Sequence, residues 1–199
     1  PSGPRPGLIN HILQDHADRI WFATAMGLAQ WSPGAETLQW HEPQAAGAGE
    51  WENYLIRITE DASGRLWIGS AVGLYLFDPA SPSFRLFRHD PRRNGSIAPG
   101  PVMSVLCDRS GAIWTGGWQA GLSCLDPWRV RFSLLTHDPG DAGSLDQDAV
   151  VSVLEAKDGT LWVGTGGVTG VHEIGRLNRR RPGQARFEHV GVEAIAAPR

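Results

Sequence analysis

The stretch EDASGRLWIGSAVGLYLFD, residues 60–78, decides the fold, because something close to it occurs four times. Aligned on its tryptophan, it shares one frame with DHADRIWFAT (15–24), DRSGAIWTGG (108–117) and AKDGTLWVGT (156–165). Trp21, Trp67, Trp114 and Trp162 are separated by 46, 47 and 48 residues. Six residues before each stands Asp15, Asp61, Asp108 or, as the exception, Ala156; three before stands Asp18, Gly64, Gly111 or Gly159. A glycine–aliphatic pair follows each: Gly27-Leu28, Gly73-Leu74, Gly121-Leu122 and Gly170-Val171. A period in the forties with this many coincident positions marks a repeat architecture.

Working outward, each unit reads as four short strands. An apolar run precedes the acid: LINHILQ (8–14), LIRITE (55–60), VMSVLC (102–107) and VVSVLE (150–155). The acid accepts backbone N–H bonds and the glycine supplies a left-handed residue, so together they make a tight turn in which Asp18 must tolerate the same conformation. The tryptophan strand and the glycine–aliphatic strand come next, the third strand ending at Ser32-Pro33, Asp78-Pro79 and Asp126-Pro127. A fourth follows in TLQWH (37–41), FRLFRH (84–89), FSLLTH (132–137) and RFEHV (186–190). No helical period of useful length competes. The expectation is an all-β chain, a β-propeller of four-stranded antiparallel blades, with about four blades present over residues 8–41, 54–89, 102–137 and 150–190 of one region, 1–199. One small sheet cannot bury both faces, so large rings on the second strand should fill the wedge between neighbours.

Composition narrows the functional classes. Eighteen basic against twenty-one acidic residues leave a formal charge of −3, with no basic footprint for nucleic acid. The run Arg179–Arg181 reads as a solvated loop. No stretch approaches the roughly 20 apolar residues of a membrane span, so direct membrane insertion by this segment is not expected. No signal-peptide pattern opens the chain, so a targeting signal is expected to have been removed or to lie outside this segment. Cys107 and Cys124 form no C-x-x-C motif, and Cys107 reads as a small hydrophobe at a strand end.

The D-x-x-G-x-[IL]-W-x-G-[ST] element with its following Gly-Leu resembles the two-component regulator propeller repeat. The connectors strengthen the likeness: His89-Asp90-Pro91 to Ser96-Ile97, and His137-Asp138-Pro139 to Ser144-Leu145. The resemblance covers about residues 8–190. Departures are Asp18 in place of glycine, the connector HEPQAAGAGEWENY (41–54), the missing acid at Ala156 and the insertion TGGVTGVHEIGRLN (165–178). Such a resemblance implies the periplasmic, ligand-sensing part of a bacterial membrane-bound receptor, a hybrid histidine kinase or a diguanylate cyclase. It implies a small-molecule ligand, oligosaccharide included, bound without covalent chemistry, and leaves room for a homodimer in the intact receptor. Relatives carry more repeats in seven-bladed rings, so a fragment of a longer receptor is expected. A four-bladed closed ring is the alternative.

Candidate ligand-binding residues follow from the face where inter-blade connectors and the second-to-third-strand turns meet. They are Trp51, Asn53 and Tyr54 in the first connector, Arg92 and Arg93 in the second, and Trp118 and Gln119 in the turn GGWQAG (116–121). Trp51 and Trp118 have no counterpart in the other units. An indole beside amide and charged groups suits a sugar, whose apolar ring face stacks while its hydroxyls need hydrogen bonds. Arg57 joins them from the inner strands, where His11, Arg57, Ser104 and Ser152 stand four residues before the acid position and are expected to reach water near the axis. His41, His89 and His137 recur every 48 residues, but equivalent positions fan around a ring, so they read as structural connectors. No G-x-S-x-G, H-E-x-x-H or P-loop occurs. The reading is a non-enzymatic binding module without metal or cofactor. Its competitors are a streptogramin-lyase-like enzyme, suggested by G-T-L-W and I-G-R-L (174–177), and a protein-docking scaffold.

Overall fold

The computed structural model of the chain describes residues 7–43, 51–126, 131–166 and 176–191. Sixteen strands form four separate sheets, each pairing antiparallel in sequence order. The first holds β1 (Ile9–Gln14), β2 (Ile20–Thr24), β3 (Gly27–Trp31) and β4 (Gln39–His41); the second, β5 (Leu55–Glu60), β6 (Leu66–Ser70), β7 (Gly73–Asp78) and β8 (Ser83–Phe87). The third holds β9 (Val102–Cys107), β10 (Ile113–Gly117), β11 (Leu122–Asp126) and β12 (Arg131–Leu135). The fourth holds β13 (Val150–Glu155), β14 (Leu161–Thr165), β15 (Arg176–Arg180) and β16 (Glu188–Val190). These are the blades of an all-β propeller. The glycine–aliphatic pair Gly170-Val171, His172 and most of the insertion lie outside the described residues, and so does the tail after Gly191.

The hairpin between first and second strands closes as the repeat requires. Asp15 N–H donates to Arg19 O at 3.0 Å, Asp61 to Arg65 at 2.9 Å and Asp108 to Ala112 at 2.9 Å. The turn residue sits in the left-handed region throughout: φ is 60° at Asp18 and 77°, 85° and 81° at Gly64, Gly111 and Gly159. Asp18 therefore carries a conformation that three glycines adopt without a side-chain penalty.

Hydrophobic packing lies between blades. Trp21, Leu55, Ile58, Ile68 and Phe77 form one cluster across the first junction; Trp67, Ile97, Val102, Ile113 and Leu125 form another across the second; Trp114, Leu145, Val150, Val163 and Phe187 form a third. Trp21, Trp67 and Trp114 each pack onto the blade that follows, Trp21 meeting Phe77 edge-on at 5.6 Å. The glycine of W-x-G makes this approach close enough. A Cβ at Gly69 would lie 2.7 Å from Val102 O, and one at Gly116 would lie 2.9 Å from Val150 O while overlapping Ser104 Oγ. Inner strands thus stack in the order β1, β5, β9, β13; among the described residues no comparable packing joins β13 back to β1.

Both ends of this arc expose surface that is covered at every junction. Ile12 is 57% exposed where its equivalent Ile58 is 3% exposed, and Leu154 on the last blade is 60% exposed. Three of the four register tryptophans are buried, whereas Trp162 is half-buried. It is covered on one side by the Arg179 guanidinium, 5.6 Å from its ring centre.

Candidate functional site

Backbone bonds sort the loops between two faces. The turn after each second strand donates to the residue leading into its own blade's inner strand: Ala25 to Leu8 O, Ala71 to Tyr54 O, Trp118 to Pro101 O and Gly166 to Ala149 O, all within 3.0–3.1 Å. Connectors and these turns therefore share one face, and the acid turns occupy the other.

On the acid-turn face the six-residue spacing has a direct meaning. Trp21 Nε1 donates to Asp15 Oδ2 at 2.7 Å, Trp67 to Asp61 at 2.9 Å and Trp114 to Asp108 at 2.7 Å. The other carboxylate oxygen takes turn amides, as when Asp15 Oδ1 accepts from Ala17 and Arg19. Burial alone would raise these carboxyls. The bonds from the indole and the turn outweigh it, so Asp15, Asp61 and Asp108 all titrate below the ordinary aspartate value. Ala156 gives Trp162 no such acceptor.

Adjacent acid turns are also bridged. His16 pairs with Glu60 across the first junction, and Arg109 donates to Ala156 O and Lys157 O at 2.7 Å across the third, its backbone N–H bonding Glu155. The middle junction has Ala62 where the others have His16 and Arg109, and a groove of about 370 Å³ opens there, lined by Asp61, Arg65, Trp67 and Arg109.

On the connector face, Trp51 is 63% exposed and its ring lies 5.8 Å from that of Tyr54. Tyr54 N–H bonds Trp51 O, and Tyr75 Oη reaches up to Glu52 O at 3.2 Å, which fixes this connector to the blade below. Asn53 is half-buried within the same segment. Trp118 is half-buried beside Pro101, and Gln119 is exposed with φ 54°, a left-handed non-glycine residue. Backbone held in that region by its surroundings is a feature of binding loops. Arg92 and Arg93 are exposed in the turn of the second connector, their amides bonding Asp90. The eight candidates thus form three groups, with Arg57 apart on the inner strands.

Those inner positions do not behave as one set. Arg57 Nη1 donates to Asn10 O at 2.9 Å across the first junction, and His11 Nδ1 accepts from Ile58 N–H at 3.4 Å. Burial, with the Arg57 charge beside it, lowers the His11 pKa. Ser152 is exposed, but Ser104 is 5% exposed and its hydroxyl lies over Gly116 in the wedge towards the fourth blade. The expectation that Ser104 reaches water near the axis is therefore corrected. The missing side chain of Gly116 provides the space that Ser104 fills.

The connector histidines hold the connectors. His89 Nδ1 bonds Ile97 O at 2.8 Å and His137 Nδ1 bonds Leu145 O at 2.7 Å; His41 instead packs its ring against Trp21 and Phe77. One polar cluster escaped sequence reading. Asp146 Oδ1 accepts from Thr165 Oγ1 and Asn178 Nδ2, both at 2.6 Å, while Asp146 N–H donates to Asn178 Oδ1. In the preceding blade Ala98 N–H donates to Ser123 Oγ at the same place. Only a residue-by-residue alignment of the two connectors and their third strands would have revealed it.

The fold and the loop face define a class, a β-propeller whose blades carry irregular connectors on one face. Residues 144–167 match the family model described as Two component regulator propeller. Among curated proteins none matches by sequence. The extracellular domain of one hybrid two component system from B. thetaiotaomicron superposes with a TM-score of 0.70 at 20% identity, covering 92% of this chain and 24% of that one. A second such domain from B. thetaiotaomicron gives 0.67 at 18% identity, covering 79% and 20%. The likeness at these identities is one of fold, and the chain spans about a quarter or less of those neighbours.

Proposed function

We propose that the chain is the ligand-sensing propeller segment of a bacterial signal receptor, lying outside the cytoplasmic membrane and recognising a carbohydrate-derived molecule without turning it over. The observation that carries this reading is the exposed Trp51 ring beside the half-buried Tyr54, in a connector unlike the other two and on the same face as Trp118 and Gln119. Stacking on an indole with amide groups nearby is the chemistry that recognises a pyranose. The family match and the extracellular receptor domains among the fold neighbours support the receptor setting and a periplasmic location. Binding would act by favouring one of two arrangements of the intact receptor, through its differential affinity for them.

The test is a titration with neutral oligosaccharides, read by tryptophan fluorescence and by chromatography of the sugar. Saturable quenching without product, weakened at least about tenfold in Trp51→Ala or Trp118→Ala, supports sensing. Metal-dependent product formation would replace it with a lyase, and co-purification of a protein partner without sugar binding with a docking scaffold.

A further inference from the structure

The second and third connectors fold alike but carry opposite chemistry. His89-Asp90-Pro91-Arg92-Arg93-Asn94-Gly95-Ser96 aligns with His137-Asp138-Pro139-Gly140-Asp141-Ala142-Gly143-Ser144. Both bind their histidine to a carbonyl eight residues on, and both glycine carbonyls accept from the next fourth strand, Gly95 O from Phe132 and Gly143 O from Phe187. Around the third junction the charges balance, because Arg186 pairs with Asp141 at 3.3 Å. Around the second, the equivalent of Arg186 is Arg131 and the equivalent of Asp141 is Arg93.

Further arginines converge there. A pocket of about 150 Å³ is lined by Arg85, Arg88, Arg93, Phe87 and Phe132, three cations against the one carboxylate in the lining, Asp90. Arg131 lies against the bare face of Gly95, its Nε 3.2 Å from where a Cβ would stand. The Arg85 guanidinium sits 4.8 Å over the Phe87 ring. Only Arg88 has a carboxylate partner, Glu52 at 3.3 Å. Among the described residues Arg85, Arg93 and Arg131 make no ion pair. Since the connector keeps its turn and its bonds with Gly140 and Asp141, the fold does not require these cations. Like charges set close together destabilise until an anion joins them. The volume is that of about five waters, room for one acidic substituent and an edge of its ring against the two phenylalanines.

We propose that the slot between blades two and three binds the carboxylate or sulfate of an acidic sugar, so that the ligand of the sensor is an anionic oligosaccharide. This rests on the reading of the chain as a ligand-binding segment. Planar guanidinium groups grip such anions through paired N–H donors.

The experiment records arginine Nε–Hε NMR signals of the whole chain. Its probes are trigalacturonate, neutral trigalactose, inorganic sulfate and a short single-stranded DNA. Trigalacturonate should shift the signals of Arg85, Arg93 and Arg131, with trigalactose silent. In Arg93→Asp, which copies the balanced slot and so keeps the fold, affinity should fall about tenfold or more. Arg131→Gln should weaken it similarly. Equal binding of trigalacturonate by Arg93→Asp, equal binding of the neutral trimer at these signals, or a response to sulfate or DNA as strong as to the acidic sugar would overturn the proposal. Neutral sugar binding at Trp51 and Trp118 with silent arginines would sink the slot and leave the sensor reading intact. Loss of all sugar binding would sink both.

Discussion

Replacing Asp15 with alanine should unfold the first blade's edge more easily than any other single change to an acid turn. Four bonds disappear: from Ala17 N, from Arg19 N and Nε, and from Trp21 Nε1 at 2.7 Å. The turn amides and the Arg19 guanidinium can turn to water. Trp21, 0% exposed, cannot, and its N–H is left stranded. A bond to an ionised acceptor contributes about 1.5–3 kcal/mol net and an orphaned buried donor costs about 1–3 kcal/mol, overlapping quantities that sum to roughly 3–4 kcal/mol. With a urea slope of about 2–3 kcal/mol per M, the midpoint should fall by ~1–2 M. Because the Asp15 carboxyl titrates below its ordinary value, its contribution is whole above the unfolded aspartate value of about 3.9 and fades as pH falls through the lower folded value. Variant and parent should therefore converge on acidification. Urea melts followed by fluorescence at pH 7 and pH 3 measure both effects. A midpoint within about 0.3 M of the parent at pH 7 would refute the assignment of this carboxylate as the anchor of Trp21, and the reverse change Ala156→Asp should raise stability only slightly, about 0.5 kcal/mol, since Trp162 is half open to water.

Other substitutions probe other parts. Gly116→Ala should destabilise by about 1–3 kcal/mol or more, as its methyl overlaps Ser104 and Val150, whereas Gly100→Ala meets no atom and carries only the left-handed penalty of ~1–2 kcal/mol; thermal melts that ranked them equally would contradict the close approach of inner strands. Burial, with nearby Asp61 and Asp108, pushes the Cys107 thiol up to about 11, and burial with Asp108 does the same for Cys124. At pH 8 both should alkylate about a hundredfold more slowly than a free thiol of pKa ~8.5, as mass spectrometry of a time course would report. Glu60 raises the His16 pKa by its hydrogen bond and its charge, so this bridge supports the fold below about pH 6.5 and is lost as pH rises through the folded value. Glu60→Gln should return the His16 NMR titration to the ordinary histidine range and flatten stability between pH 6 and 8.

The repeat was legible because its spacing does two jobs at once. Six residues from acid to tryptophan set the hairpin register and also bring carboxylate and indole together, although the sequence reveals only the first. Burial of the tryptophan was legible just as far as a following blade exists. LWVGT (161–165) is locally like LWIGS (66–70), yet Trp162 remains half-buried because, among the described residues, only Arg179 of its own blade covers it and no following blade does. Ser104 was misread because the void over Gly116 depends on the neighbouring blade. At the connectors, Arg92 and Arg93 stood out as a pair. Arg85 and Arg131 come from two outer strands 46 residues apart and meet only once the second and third sheets are stacked.

Among the described residues the three hydrophobic clusters have no member in common, so the described blades are joined by a row of separate adhesive seams without a shared centre. Damage to the seam between Trp67 and Val102 should therefore divide melting into two separately resolved events, one per half, while damage beside β1 should only fray one border. Cooperativity here is a property of neighbours in line.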